Sequence, residues 1–254
     1  MNPPAFRDVL DEAAHCVFVH VTAGDAGLGL GNGGRKHPYY LARENGAESA
    51  IRFMADANER RPIAPVVEAI TLAGHAIRRV GYRNTAAYFL RLPDGNACGE
   101  GYTETSWQSL RRLANSEIAE LSAVDGSARY RGWPDLTATI GALIEHERAG
   151  APAELHIPEL DAAINPNDHS DHRLTAQAVC EAAKDLAVRW VYHVGYASQS
   201  LPENLAAEER DMKAAVYAVT MAGVLALDHP ISWQHYDQLF IGRGYARVEE
   251  GRPR

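Results

Sequence analysis

The sequence predicts an α/β protein with a mainly parallel sheet and helices on both faces of that sheet. The run Cys16–Val21 is almost continuously β-branched or aromatic, which is typical of a strand buried on both faces. Segments of strand character then alternate with segments of helical periodicity along the chain. No internal repeat, low-complexity tract or linker interrupts the 254 residues, so we expect one domain over residues 1–254.

Each element follows from its own pattern. Apolar residues at helical spacing, such as Phe6, Val9 and Leu10, predict the helices, and short β-branched or aromatic runs predict the strands. The predicted helices cover Phe6–Ala14, Tyr39–Met54, Trp107–Ala114, Leu136–Ala149, Leu174–Leu186 and Leu205–Leu227. The predicted strands are Cys16–Val21, His75–Val80, Ala86–Leu90, Glu154–Pro158 and Val188–Val194.

Composition narrows the class of partner. The chain has 25 basic and 33 acidic side chains, a net charge of -8, which argues against nucleic acid because phosphate binding needs clustered Lys and Arg. No apolar run approaches the roughly 20 residues of a membrane span, and Met1–Arg7 does not resemble a signal peptide. Cys16, Cys98 and Cys180 form no disulfide or zinc pattern. We therefore expect a cytoplasmic protein with a small-molecule partner, and a homo-oligomer remains open.

The segment Asp168-His169-Ser170-Asp171-His172 is the strongest candidate for chemistry. It follows a short strand and a turn, and Asp168 or Ser170 would cap the helix that begins there. His169 and His172 would share a helical face, and the helix N-terminus would keep both imidazoles neutral, as a metal ligand must be. Asp171 is placed to orient one of the two rings. Two solvated histidines near a turn are the alternative, and spacing alone does not separate the two interpretations.

A second pattern is weaker. Gly29–Gly34 formally matches the dinucleotide fingerprint G-x-G-x-x-G, which would indicate a nicotinamide-dependent oxidoreductase. In that motif the first glycine leaves the strand directly and the last opens a helix, whereas here seven residues separate Thr22 from Gly29 and Arg35-Lys36-His37-Pro38 follows. A flexible loop is the better interpretation. No nucleophile elbow or reactive cysteine is recognisable.

Four segments together resemble the PIG-L/LmbE-like zinc-dependent N-deacetylases, the family of the GlcNAc-PI de-N-acetylases. The segment Val17–Gly27 is similar to that family's second strand and the loop after it, and Ala42–Ala47 to its next helix. Tyr88–Gly95 resembles its strand that ends in a substrate-facing aspartate, and Asn165–Arg173 its downstream histidine motif. The resemblance extends over nearly the whole chain.

This resemblance implies a Rossmann-like domain that hydrolyses an N-acetyl group, commonly on an amino sugar or its conjugate, with Zn²⁺ or another divalent metal as cofactor. By the same resemblance, His172 would be a zinc ligand. His169 would act on the developing oxyanion or the leaving amine, with Asp171 holding its ring. Asp94 and Arg43 would contact the substrate.

One part of the family pattern is absent. The family's first strand ends in His-x-Asp-Asp, which supplies the other metal ligands and the catalytic base, and the chain lacks this segment. We therefore expect the domain to be N-terminally incomplete and its first strand to be missing. A catalytic zinc usually has three protein ligands, and only one is recognised here. The alternative function is a non-catalytic relative that binds a sugar or a protein partner through the same cleft.

Overall fold

The computed structural model describes residues 3–11, 13–58, 61 and 63–251. In that part of the chain, helices and strands alternate as the sequence predicts. The helices are α1 (Pro3–Leu10), α2 (Tyr39–Ala55), α3 (Leu110–Ala114), α4 (Trp133–Arg148), α5 (Ser170–Ala182), α6 (Ala207–Ala226) and α7 (Trp233–Phe240). The strands are β1 (Cys16–Thr22), β2 (Val66–Leu72), β3 (His75–Tyr82), β4 (Thr85–Leu92), β5 (Glu120–Ser122), β6 (Arg129–Arg131), β7 (Glu154–Pro158), β8 (Val188–His193) and β9 (Ala246–Gly251).

The described strands form three sheets, and their pairing is mixed. A four-stranded sheet has the order β1-β4-β3-β2, a three-stranded sheet has the order β7-β8-β9, and β5 pairs with β6. Only β1 with β4 and β7 with β8 pair in parallel, while the other described pairs are antiparallel. The α/β class is confirmed, but the prediction of a mainly parallel sheet was wrong.

Tight turns account for the antiparallel pairing of β2, β3 and β4. Ala73 and Gly74 both have positive φ between β2 and β3, and Arg83 has positive φ between β3 and β4. Two-residue turns of this kind return the chain antiparallel to itself, because a parallel connection needs a long crossover. The strands β2, β5, β6 and β9 lie outside the segments that were predicted to be strands.

Several helix boundaries differ from those predicted, and helix α7 was not predicted. The predicted helix from Trp107 begins only at Leu110, because Ser106 and Trp107 adopt left-handed backbone conformations. The Ser109 side chain then accepts a hydrogen bond from the backbone N–H of Arg112 at 3.2 Å and caps the helix. The helix predicted from Leu174 begins earlier, at Ser170.

Helices cover both faces of the four-stranded sheet, as predicted. On one face Tyr88 and Leu90 of β4 pack with α3, α4 and α5 through Leu110, Leu136 and Ala178. On the other face Val80 and Phe89 pack with Ile51 and Met54 of α2 and Val216 of α6. None of the described helices combines the length and hydropathy that a bilayer span requires.

The two helices on the second face approach each other closely. A Cβ on Gly46 of α2 would lie 2.8 Å from the carbonyl oxygen of Thr220, and one on Gly223 of α6 would lie 2.8 Å from that of Asn45. The Asn45 side chain also donates to the Gly223 carbonyl at 2.7 Å. These glycines therefore set the spacing of α2 and α6.

The loops that follow β1, β4, β7 and β8 converge at one end of the molecule. The backbone N–H of Asp94, after β4, donates to Asp25, after β1, at 2.8 Å. The N–H of Gly95 donates to Asp171 of α5 at 2.9 Å, and the N–H of Tyr196, after β8, donates to Asp168 at 3.2 Å. The carboxyl ends of these strands therefore surround the candidate site, as is usual in α/β proteins.

Candidate functional site

The turn that enters α5 is fixed by Asn165, which is completely buried. Its side-chain N–H groups donate to the Glu159 carbonyl at 3.2 Å and to the Asp168 carboxylate at 2.9 Å. Its side-chain oxygen accepts the backbone N–H of Gly195 at 3.1 Å. The Asn165 side chain thus connects the loop after β7 to the loop after β8 through hydrogen bonds.

Asp168 orients His172. Nδ1 of His172 lies 3.0 Å from Oδ1 of the buried Asp168, which also accepts from Asn165 and from the backbone of Tyr196. Burial works against the anion, yet the hydrogen bond and the charge of His172, with these further donors, hold the pKa of Asp168 below its usual value. Because a carboxylate accepts the proton on Nδ1, Nε2 of His172 keeps its lone pair, as in a carboxylate–histidine–metal arrangement.

His169 is held differently. It is the N-cap of α5, and its Nδ1 accepts the backbone N–H of Asp171 at 3.2 Å. The proton of the neutral ring is therefore on Nε2, which lies 3.7 Å from Oδ1 of Asp94. Burial lowers the pKa of His169. The Asp171 carboxylate is 3.9 Å from Nδ1, beyond hydrogen-bond distance, so the backbone of Asp171 rather than its carboxylate holds this ring.

Asp171 is the least satisfied carboxylate of the group. Its Oδ2 accepts the N–H of Gly95 at 2.9 Å, while its buried Oδ1 has no hydrogen-bond partner among the described residues. Burial is the main cause that raises the pKa of Asp171 to about 7, and the nearby Asp94 and Asp25 charges add to it. A Cβ on Gly95 would lie 2.4 Å from Asp171 Oδ1, so this contact requires glycine.

The predicted substrate residues lie on two sides of this group. Asp94 follows β4 and its Oδ1 accepts the N–H of Asn96 at 2.9 Å while facing His169. Arg43 of α2 lines a neighbouring cavity together with Asp171 and His172. The structure therefore brings all five predicted site residues into one region of the molecule.

The side chains that could bind a metal do not all lie around one point. Asp94, His169 and Asp171 each offer a ligand atom within 4.8 Å of the others. His172, whose Nε2 is the best-oriented donor, belongs to no such group of three among the described residues. Catalytic zinc needs three protein donors around one point, so the residues described here do not complete a zinc site on His172.

Sequence reasoning missed Asp25 and Tyr196. Asp25 is fully buried and accepts the backbone N–H groups of Asp94 and Gly29 at 2.8 and 2.7 Å, so it supports the Asp94 loop from below. The Tyr196 ring stands edge-on to His172, with 5.2 Å between ring centroids, and is 45% exposed. Its position at the end of β8 was the available signal, since ligand-binding residues collect at the carboxyl ends of strands.

The glycine run Gly29–Gly34 does not have the geometry of a dinucleotide site. Its first glycine is held by Asp25 within the loop after β1, and α2 begins only at Tyr39. The run therefore neither leaves the strand directly nor opens the helix, which are the two features that place a pyrophosphate.

No protein-family model matches this sequence, and no curated protein or solved structure matches it. The functional assignment therefore depends on the geometry of the site and on the motifs in the sequence.

Proposed function

We propose that this site hydrolyses the N-acetyl group of an amino sugar or its conjugate, as the motif resemblance implies. The observation that carries the proposal is the pair of imidazoles at the start of α5. Asp168 fixes His172 with Nε2 available, and His169 stands beside it with 5.5 Å between ring centroids. Oriented, partly exposed imidazoles next to carboxylates at the carboxyl ends of strands suit general acid–base chemistry on an amide.

His169 is assigned to the substrate oxygen. The ring is neutral, because burial lowers its pKa, and its Nε2–H points away from the helix cap. A fixed neutral donor can stabilise the oxyanion that develops on an attacked acetyl carbonyl. Asp94, 3.7 Å from Nε2, limits the orientation of the ring and faces the same space. Arg43 would hold a polar group of the substrate from the side of α2.

Zinc stays part of the proposal as the cofactor the resemblance implies. It would lower the pKa of a bound water to about 7, and His172 Nε2 would be one donor to it. Because the described residues do not gather further donors around His172, no step is assigned to the metal. A Rossmann-like domain and a cytoplasmic location belong to the same proposal.

The test is acetate release from N-acetylglucosamine by the purified chain supplied with Zn²⁺. We expect His169→Gln to lower the rate roughly 10²- to 10⁴-fold, the usual contribution of a positioned acid or base. His146→Ala is the matched control, because His146 is exposed in the last turn of α4. If His169→Gln left a measurable rate unchanged, the assignment of His169 would be wrong.

The second candidate is binding without catalysis, through the same cleft, of a sugar or a protein partner. The incomplete donor set around His172 favours it. Under this alternative the chain with Zn²⁺ releases no acetate, yet N-acetylglucosamine binds, and Tyr196→Ala weakens that binding because the exposed ring next to His172 offers a stacking surface.

A further inference from the structure

The strand β2 forms an outer edge of the four-stranded sheet, and its first half is exposed on both faces. Val66 and Val67, whose side chains point to opposite faces, are 60% and 57% exposed, and Ile63 just before the strand is 48% exposed. No described strand pairs with the outer edge of β2. An edge strand that exposes large apolar side chains is a template for pairing with a further strand.

The edge strand β9 of the three-stranded sheet is protected against such pairing, whereas β2 is not. β9 carries Arg247, Glu249 and Glu250 among its six residues, and charges of this kind deter pairing at an edge. β2 contains no proline, lysine or arginine, and it pairs with β3 in continuous register without a bulge. Its one charged residue, Glu68, forms an ion pair with Arg79 of β3 at 3.0 Å. The edge of β2 is therefore open to a partner strand.

The hairpin turns determine which backbone groups of β2 are free. The two-residue turn after β2 closes on Leu72 and His75, and the closing pair of such a hairpin exchanges both backbone hydrogen bonds. Even-numbered residues of β2 therefore face β3, while the N–H and C=O groups of Val67, Ala69 and Thr71 point to the outer edge. The turn between β3 and β4 closes on an even-numbered residue of β3, which must then face β4, so the two hairpins agree.

The outward groups of β2 match those of a second copy of the same strand. When two β2 strands pair antiparallel about Ala69, each Ala69 faces the other, and Val67 faces Thr71 in both directions, with both backbone hydrogen bonds exchanged in each pair. Glu68 then faces Ile70, so the charged residue does not oppose its own copy. A two-fold pairing uses each edge once, so the assembly closes at a dimer.

The neighbouring registers are less favourable. Pairing centred on Glu68 opposes two like charges and brings Pro65, which has no N–H, among the paired residues. Pairing centred on Ile70 brings in the turn residue Ala73, whose φ of 48° is not that of a strand. The register about Ala69 is thus the one that pairs every outward residue of both strands.

We propose that this protein forms a homodimer in which the β2 strands of two copies pair antiparallel about Ala69 and one continuous sheet runs through both molecules. The partner is a second copy because the outward groups of β2 are self-complementary and the charge of Glu68 lies away from the two-fold axis. Val66 and Val67 would be covered by the second copy. A strand pair is smaller than a standard interface, so we expect a Kd on the order of 10 µM. The proposal concerns association alone and does not depend on amide hydrolysis.

The test is sedimentation equilibrium of the full chain between about 1 and 300 µM, a range that brackets the expected Kd. We expect the average mass to rise from that of one chain to that of two. Ala69→Lys and Ala69→Glu should each raise Kd about tenfold or more, because like charges then meet at the two-fold axis. An equimolar mixture of the two variants should dimerise again, because lysine then faces glutamate. Ala246→Lys, at an exposed position on the edge strand β9, is the matched control and should leave Kd unchanged.

Hydrogen exchange locates the interface within the strand. At about ten times Kd, the amides of Val67, Ala69 and Thr71 should exchange about threefold to fivefold more slowly than in dilute protein. The amides of Glu68 and Ile70, which are directed to β3, should not change. The proposal is overturned if the chain stays monomeric up to about 300 µM or if the mixture of the two variants does. It is also overturned if each charged variant dimerises as tightly as the unmodified chain, which would place the interface on another surface.

Discussion

The polar groups around the start of α5 fall into two regions with opposite character. In the first, which we call the closed side, Asn165, Asp168 and His172 satisfy one another and the backbone of the β8 loop. In the second, the open side, Asp171 keeps one buried oxygen without a partner and His20 keeps one buried nitrogen without a partner among the described residues. The polar side chains on the closed side have hydrogen-bond partners, whereas each of the two residues on the open side has a buried polar atom without one among the described residues.

The comparison of Asp168 with Asp171 shows what decides the charge of a buried carboxylate. Both are almost fully buried, at 2% and 4% exposure. Burial alone would raise both pKa values, but His172 and the donors from Asn165 and Tyr196 hold the pKa of Asp168 below its usual value. Asp171 has one backbone donor and two acidic neighbours, so its pKa rises to about 7. The number of donors therefore outweighs the depth of burial.

The largest effect is expected from Asp168→Ala on the closed side. This change leaves the Asn165 amide and the Tyr196 N–H without their acceptor and removes the anion that orients His172. We expect the free energy of unfolding to fall by about 4 kcal/mol, because two donors would be left without an acceptor at about 1–3 kcal/mol each. Urea denaturation of the metal-free protein measures it, with Asp185→Ala at an exposed position as control. A loss below about 1 kcal/mol would mean that the closed side is not a structural unit.

On the open side, His20 should make the fold acid-sensitive. Burial lowers the pKa of His20 to about 4, and the Arg43 charge adds to this. Between pH 6.5 and 4 the unfolded chain binds a proton at this residue that the folded chain refuses, so stability falls as the pH falls through that window. The contribution is up to roughly 3 kcal/mol, at about 1.4 kcal/mol per pKa unit.

The variant His20→Phe should remove this part of the acid sensitivity. A phenyl ring can keep the stacking on Phe89, where the ring centroids are 4.8 Å apart. The buried His193, whose pKa is lowered to about 3, titrates in the same range in both proteins. The difference between the two stability–pH curves therefore isolates His20. Parallel curves would show that His20 has a partner that satisfies its proton.

The sequence predicted strands with an apolar run, such as β1, and missed strands with a polar sequence, such as β9. β1 was recognised because Cys16–Val21 is apolar on both faces. β9, Ala246–Gly251, alternates exposed and half-buried residues and carries two glutamates and an arginine, so its pattern is that of a polar loop. Its pairing with β8 is set by a contact distant in sequence, which no local pattern contains.

The same limit applies to the candidate site. Asp168 and His172 are four residues apart at a helix start, so their pairing could have been predicted from spacing, although Asp168 was interpreted only as a cap. The role of Asp25 could not be predicted, because it accepts the backbone N–H of Asp94, which lies 69 residues further along the chain. Asp171 was expected to hold His169 through its carboxylate, whereas the helix cap uses its backbone N–H. Local geometry therefore decided which group of Asp171 holds the ring, its backbone N–H donor or its carboxylate acceptor.

The smallest change in the free energy of unfolding is expected for Asp171→Asn. Asp168→Asn is the matched variant with which it is compared. The asparagine oxygen at position 171 can still accept the Gly95 N–H, and the change removes a buried negative charge beside Asp94 and Asp25. We expect Asp171→Asn to raise the free energy of unfolding of the metal-free protein at pH 8 slightly, by less than about 1 kcal/mol. Asp168→Asn replaces an anion that three groups stabilise, so it should cost clearly more, about 2 kcal/mol. Equal losses in the two variants would show that Asp171 has donors that match those of Asp168, and the distinction between the closed and open sides would then fail.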